Sequence, residues 1–159
     1  MIRKIIKIII VLLCMTSIFV FSSDNGEEST KKSDGVIVSF AKIFVGHNIE
    51  KKEQEKLIAR YVSFVRKGAH FTIYFILGLS LISLVKEYRI IDKKSIIIAL
   101  IIACLYSISD EIHQLFVPGR DGKALDVLID SIGSLTGIYL YYVFYKIRRN
   151  KNEQKETIG

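Results

Sequence analysis

Four stretches of apolar residues, 8–22, 68–85, 95–112 and 124–145, organise this chain, with polar and charged residues gathered between them. The hydrophobic residues are concentrated in these blocks and not spread periodically, as they would be across the half-buried elements of a soluble domain. At a rise of 1.5 Å per residue most of the blocks approach the roughly 30 Å hydrocarbon thickness of a bilayer, and the first does so when Ile5 and Ile6 join it. The pattern predicts an all-α membrane protein with about four transmembrane helices in a bundle. A composition 50% hydrophobic over 159 residues, above what a small soluble domain carries, points the same way.

Between the first two blocks, residues 24–34 are rich in Ser, Gly, Glu and Lys and read as loop. From Ile49 onward, Leu57, Tyr61, Phe64 and Val65 recur at helical spacing, with Glu53, Glu55, Lys56 and Arg60 mostly on other faces. This predicts an amphipathic helix lying in the interface before the second span, or, equally by pattern, an extended helix merging with that span. Pro118-Gly119 suits the central positions of a type II turn, and Asp121-Gly122 adds a second turn signal. The expected organisation is a transmembrane anchor over residues 1–22, an extracytoplasmic loop with the amphipathic helix over 23–66, a three-helix core over 67–146 and a basic cytoplasmic tail over 147–159. The first block reads as an uncleaved anchor, since it lacks a small-x-small cleavage site and Leu13 precedes Cys14 where a lipoprotein signal wants a small residue.

Charge sets the expected orientation. Arg3, Lys4 and Lys7, then Lys86, Arg89, Lys93 and Lys94, then Lys146, Arg148, Arg149, Lys151 and Lys155 share one side if all four blocks cross. That side is the cytoplasm by the positive-inside rule, which predicts a multi-pass protein of the cell membrane with both termini cytoplasmic. Lys56, Arg60, Arg66 and Lys67 crowd the opposite end, in a loop long enough to be read less strictly. The net charge of +7 is thus mostly membrane-flanking, and no basic stripe with interleaved aromatics supports nucleic-acid binding. Cys14 and Cys104 lie far apart inside spans and suggest neither a disulfide nor a zinc site.

Candidate chemistry is confined to a few stripes. On a helical wheel Lys67, His70, Tyr74 and Gly78 fall within roughly an 80° arc of the second span, and Asp126, Asp130, Gly133 and Gly137 within roughly a 60° arc of the fourth. Such faces belong inside the bundle, where Gly133-x-x-x-Gly137 admits a neighbouring backbone. On the third span Ser107, Glu111 and Gln114 share a face, whereas Asp110 and His113 turn toward Tyr106 and Ser109. An unbroken helix would not aim this whole motif at one centre, so the helix is expected to end near His113 or the motif to line a water-accessible pocket. With four spans, Lys67 and His70, residues 110–114, and Asp126 and Asp130 all arrive at the outer leaflet. The structural alternative has Lys67 and Arg120 neutralising Asp110, Glu111, Asp126 and Asp130 as buried ion pairs.

These residues resemble the VanZ-like family of small bacterial membrane proteins, named for a protein associated with resistance to the glycopeptide teicoplanin. The resemblance rests on Lys67-x-x-His70-Phe71-x-x-Tyr74, on Asp110-Glu111-x-His113-Gln114 with Pro118-Gly119-Arg120, and on Asp126-x-x-x-Asp130-x-x-Gly133-x-x-x-Gly137. Phe21-Ser22-Ser23 and Glu28-Ser29 extend it toward the N-terminus. It implies several transmembrane helices and a role in the cell envelope, but no settled reaction, ligand or cofactor.

Two functions compete for the polar residues. In the first, the protein binds a membrane lipid or a lipid-linked cell-wall intermediate at the outer leaflet through Lys67, His70, Tyr74, Glu111, Gln114, Arg120, Asp126 and Asp130, and lowers glycopeptide susceptibility. Arg120 and Lys67 would meet phosphate or carboxylate, and Tyr74 and Phe71 the lipid portion, unless these two aromatics simply pack. In the second it is a membrane-embedded hydrolase or transferase, with Glu111 or Asp110 as general base, His70 or His113 exchanging protons and Arg120 stabilising negative charge. A bound divalent metal is conceivable from the His and carboxylate inventory, but Asp-Glu-x-His matches no zinc motif, and no metal and no cofactor is expected. Proton or ion translocation through Asp126 and Asp130 ranks last, for want of polar residues continuing across the spans. Oligomeric state is not readable from the sequence.

Overall fold

The computed structural model describes residues 1–45, 51–90 and 92–158, so Ile49, where the amphipathic pattern begins, lies outside them. The described residues form helices α1 (Ile2–Ser22), α2 (Gly26–Val45), α3 (Lys51–Val85), α4 (Asp92–Gln114) and α5 (Ala124–Ile158), with a short 3-10 turn at Lys86–Tyr88 and no strand. Four segments are long and apolar enough to cross a membrane: Ile2–Ser22, Lys51–Tyr88, Asp92–Gln114 and Ala124–Lys151. Ile9, Leu13, Ile101, Leu105, Leu128 and Leu135 are exposed on these helices, a surface that lipid accepts and water does not. The chain is an all-α, multi-pass membrane protein.

Helix α3 is central and packs against each of the other four. Tyr74, Leu77, Leu81 and Ile82 from α3 form the core with Ala99 and Ala103 of α4, Ile138 of α5, and Val11 and Ile18 of α1. The crossing with α5 is close, because glycines on both helices remove side chains from it. A Cβ on Gly78 would lie 2.2 Å from the Ser134 carbonyl oxygen, and one on Gly137 would lie 2.2 Å from that of Phe75. Any side chain at either position would push two backbones apart, which is the close packing that the Gly133-x-x-x-Gly137 spacing predicts.

At one end of the bundle Lys7 pairs with Glu87 at 2.5 Å, Lys86 pairs with Asp92, and Arg149 reaches Asp92 at 3.9 Å. The three basic groups expected to share a side therefore do gather at one end. At the other end Val117 accepts a hydrogen bond from the Arg120 N–H at 3.1 Å across Pro118 and Gly119, and Gly119 has φ +73°. This is the type II turn read from Pro-Gly. Pro118 accepts a further bond from the Gly26 N–H at 3.0 Å, tying the turn to the start of α2.

One expectation changes, and one open alternative is decided. Residues 24–34, read as loop, mostly belong to α2, whose first turn is capped by the Asn25 side chain accepting from the Glu28 N–H at 2.8 Å. Glu27 and Glu28 in that turn suit the positive end of the helix dipole. The buried stripe of α2 is Ser29, Ser33 and Ile37, so small polar residues fill the positions where an apolar pattern would have announced a helix. The amphipathic stretch before the second span, for its part, runs without a break into that span as one 35-residue helix.

Candidate functional site

The helical wheel places His70 one turn before Tyr74 on α3, Ser107 one turn before Glu111 on α4, and Asp126 one turn before Asp130 on α5. Packing of the three helices brings these stripes to one point. Donor atoms of His70, Asp110, Glu111 and Asp130 all lie within 4.8 Å of one another. The three carboxylates are 4, 5 and 0% exposed, which demands compensation that isolated carboxylates deep in a bundle do not have.

Part of that compensation comes from hydrogen bonds. Ser107 Oγ donates to Asp130 Oδ2 at 3.0 Å, and the Lys123 N–H donates to Glu111 Oε2 at 2.8 Å. Asp110 Oδ2 accepts from Tyr74 Oη at 3.3 Å and from Gln114 Nε2 at 3.4 Å. Gln114 also donates to Ser22 Oγ at 2.9 Å, joining the end of α1 to the site. The remaining demand is unmet. His70 Nδ1, Glu111 Oε1, Asp126 Oδ1 and Asp130 Oδ1 are buried without a hydrogen-bond partner.

The structural alternative of Lys67 and Arg120 as counter-ions is not what is found. Among the described residues neither forms an ion pair with the four carboxylates; the closest charge contact is His70 Nδ1 to Asp130 Oδ1 at 3.5 Å. Arg120 instead donates to the carbonyls of Phe21 and Asp24, both at 3.2 Å, and so closes the C-terminal end of α1. Burial pushes its guanidinium below the ordinary value, as does Arg66 beside it, while Asp110, Asp24 and Glu111 oppose this.

Two cavities meet here. One of about 50 Å³ is lined by Lys67, His70, Gln114, Asp126 and Asp130, with Arg66, Arg120 and Lys123 also on its wall. It suits an ion or a few waters and is far too small for a sugar or a drug-sized ligand. The other, about 600 Å³, is a groove between α1, α2 and α3, walled by Ile18, Phe21, Val36, Val65, Ile73 and Ile76. Arg66, His70 and Arg120 line both, so the apolar groove ends at the polar site.

Of the residues expected in the site, Lys67, His70, Asp110, Glu111, Gln114, Arg120, Asp126 and Asp130 come together. Tyr74 does so differently: it is fully buried and bonded to Asp110, so it faces no lipid. Phe71 is absent from the groove wall and presents its carbonyl to Gly133. His113 turns aside, as the helical wheel requires, stacking on Phe19 at 4.5 Å with Nε2 3.1 Å from Ser23 Oγ. Asp110 and Glu111 nevertheless both reach the cluster, one toward α3 and the other toward the start of α5. Arg66 was missed, since beside Lys67 it reads as one more flanking charge. Ser107 and Ser22, which hold Asp130 and Gln114, carry no sequence signal of that role beyond lying on the inner faces.

Comparison with known proteins gives one family model, VanZ/LLP1, matching residues 7–145. No curated protein and no solved structure matches.

Proposed function

The chain belongs to the VanZ/LLP1 family, and from the geometry of its polar end we propose that it binds an anionic amphiphile of the cell envelope, lipid tail in the groove and headgroup at Arg66, Lys67 and Arg120. The observation that carries this reading is the junction of an apolar groove of about 600 Å³ with a polar pocket whose wall carries Arg66, Lys67, Arg120 and Lys123 beside Asp121, Asp126 and Asp130, through residues common to both. Inside a membrane the groove gains little from apolar burial alone, because lipid tails are as apolar as its walls. Selectivity must then come from the head, and a phosphate or pyrophosphate suits one lysine and two arginines. A polyprenyl-linked cell-wall intermediate has both parts. Holding such an intermediate is the route by which the protein would lower susceptibility to teicoplanin.

Purified protein in detergent should gain thermal stability from a polyprenyl phosphate and none from the matching polyprenol. Ala69 is exposed on the groove wall, so Ala69→Trp should fill the groove and abolish the response while leaving the fold intact. Equal stabilisation by alcohol and phosphate, or an undiminished response in the variant, contradicts the reading.

A second reading, hydrolysis or transfer on the same amphiphile, is favoured by the partnerless oxygens of Glu111 and Asp130 beneath the cations. Glu111 would act as base and Arg120 would stabilise negative charge. Release of phosphate from the bound amphiphile, lost in Glu111→Gln, separates it from binding alone.

The site is assigned to the outer leaflet, with both termini in the cytoplasm, because the basic groups of residues 3–7, 86–94 and 146–155 mark the other end as cytoplasmic. In a background lacking Cys14 and Cys104, Lys31→Cys should react with an impermeant reagent in intact cells and Lys151→Cys should not. The reverse pattern would move the site to the cytoplasmic leaflet.

A further inference from the structure

We propose that His70, Asp110, Glu111 and Asp130 form a binding site for a divalent first-row cation, of the manganese or zinc kind. The donors come from three helices and lie within 4.8 Å of one another, whereas ligands about 2.1 Å from one ion lie up to about 4.2 Å apart. Closing that difference needs shifts of a few tenths of an ångström at a six-coordinate ion and of roughly 1.4 Å at a tetrahedral one. His70 Nδ1 and Asp130 Oδ1 stand 3.5 Å apart, and neither has a hydrogen-bond partner. Two ligands at about 2.1 Å from a shared metal, at a tetrahedral angle, would be separated by about 3.4 Å.

The surroundings have the form of a metal site's outer layer. Each carboxylate gives one oxygen to the protein: Asp130 Oδ2 to Ser107, Asp110 Oδ2 to Tyr74 and Gln114, Glu111 Oε2 to the Lys123 N–H. Such bonds fix ligand orientation and, at Glu111 and Asp130, leave the second oxygen for the ion. Glu111 Oε1 and Asp130 Oδ1, on side chains 5 and 0% exposed, are those second oxygens, and both lack partners. One imidazolium cannot neutralise three carboxylates, while a divalent ion bound by the neutral imidazole offsets two of the three charges. The donor set of one nitrogen and carboxylate oxygens, with no thiolate, suits manganese or zinc; an imidazole disfavours magnesium and calcium. Cys104 does not take part, its Sγ lying 3.4 Å from Ser131 Oγ. The cavity of about 50 Å³ beside His70 and Asp130 leaves room for ligand water.

This site stands apart from the amphiphile reading, because its test needs the metal alone. Full-length protein in detergent, stripped with a chelator, is titrated with manganese chloride, and loss of the free-ion electron paramagnetic resonance signal counts the bound ion. One ion per chain is expected, displaced by zinc and raising the melting temperature. Asp130→Asn should weaken binding by about 100-fold or more, beyond the range for outer-layer changes. It should also leave metal-free protein at least as heat-resistant as the wild type, since it removes a repelling charge. Glu111→Gln, able to keep the Lys123 contact, serves as a second variant, and Glu27→Gln, on an exposed pair with Lys31, should bind normally. Absence of saturable manganese or zinc binding overturns the proposal, as does binding unchanged in both cluster variants.

Discussion

Replacing His70 by Leu is expected to destabilise the bundle by about 3–5 kcal/mol, the range for stranding a buried charge by removing its partner. Among the described residues His70 is the one group able to carry positive charge that touches the buried carboxylates, 3.5 Å from an Asp130 that is 0% exposed. Leu offers neither charge nor donor, so Asp110, Glu111 and Asp130 would face one another with only neutral hydrogen bonds to hold them. Denaturation in mixed micelles measures the loss. Replacing His70 and Asp130 together by Leu should restore most of the stability, because two apolar residues leave no unpaired charge there. The restored protein should still fail to bind metal. Recovery of function along with stability would mean that the cluster is scaffold, and no loss in the single variant would mean that His70 does not compensate the carboxylates.

The second large effect is expected at Lys67. Its side chain lines the small cavity and makes no ion pair among the described residues, so changing it removes no structural contact of that kind. Lys67→Glu should keep the fold and weaken an anionic headgroup by about 2 kcal/mol, or roughly 30-fold, the scale of one charge-assisted contact. Arg120 makes a poorer probe. Its two bonds to carbonyls at the end of α1 would be lost with its charge, confusing binding with folding.

What the sequence discloses is what local pattern can carry. The four spans, the Pro118-Gly119 reversal and the glycine face of α5 follow from composition and periodicity within single segments, and each is present in the structure. Helix α2 escaped because its inner face uses Ser29 and Ser33, although Asn25 followed three residues later by Glu28 is a helix-start signal that was there to be read. The position of Tyr74 depends on Asp110 of another helix, and a one-helix wheel cannot tell a packed aromatic from a lipid-facing one. The donor cluster is least legible. Its four residues are drawn from α3, α4 and α5 with no fixed spacing among them, so a search for contiguous metal motifs passes over it. That three polar stripes meet at one depth was visible from topology; which atoms meet was not.

The central claim, that an anionic amphiphile occupies the groove with its head at the cations, is tested most directly by native mass spectrometry of protein released from bacterial membranes. Wild-type protein should carry an anionic, phosphate-bearing amphiphile at one per chain, and Lys67→Glu should lose it while remaining folded. Equal retention by both proteins, or bound lipid that mirrors the bulk membrane without regard to head charge, would contradict the account.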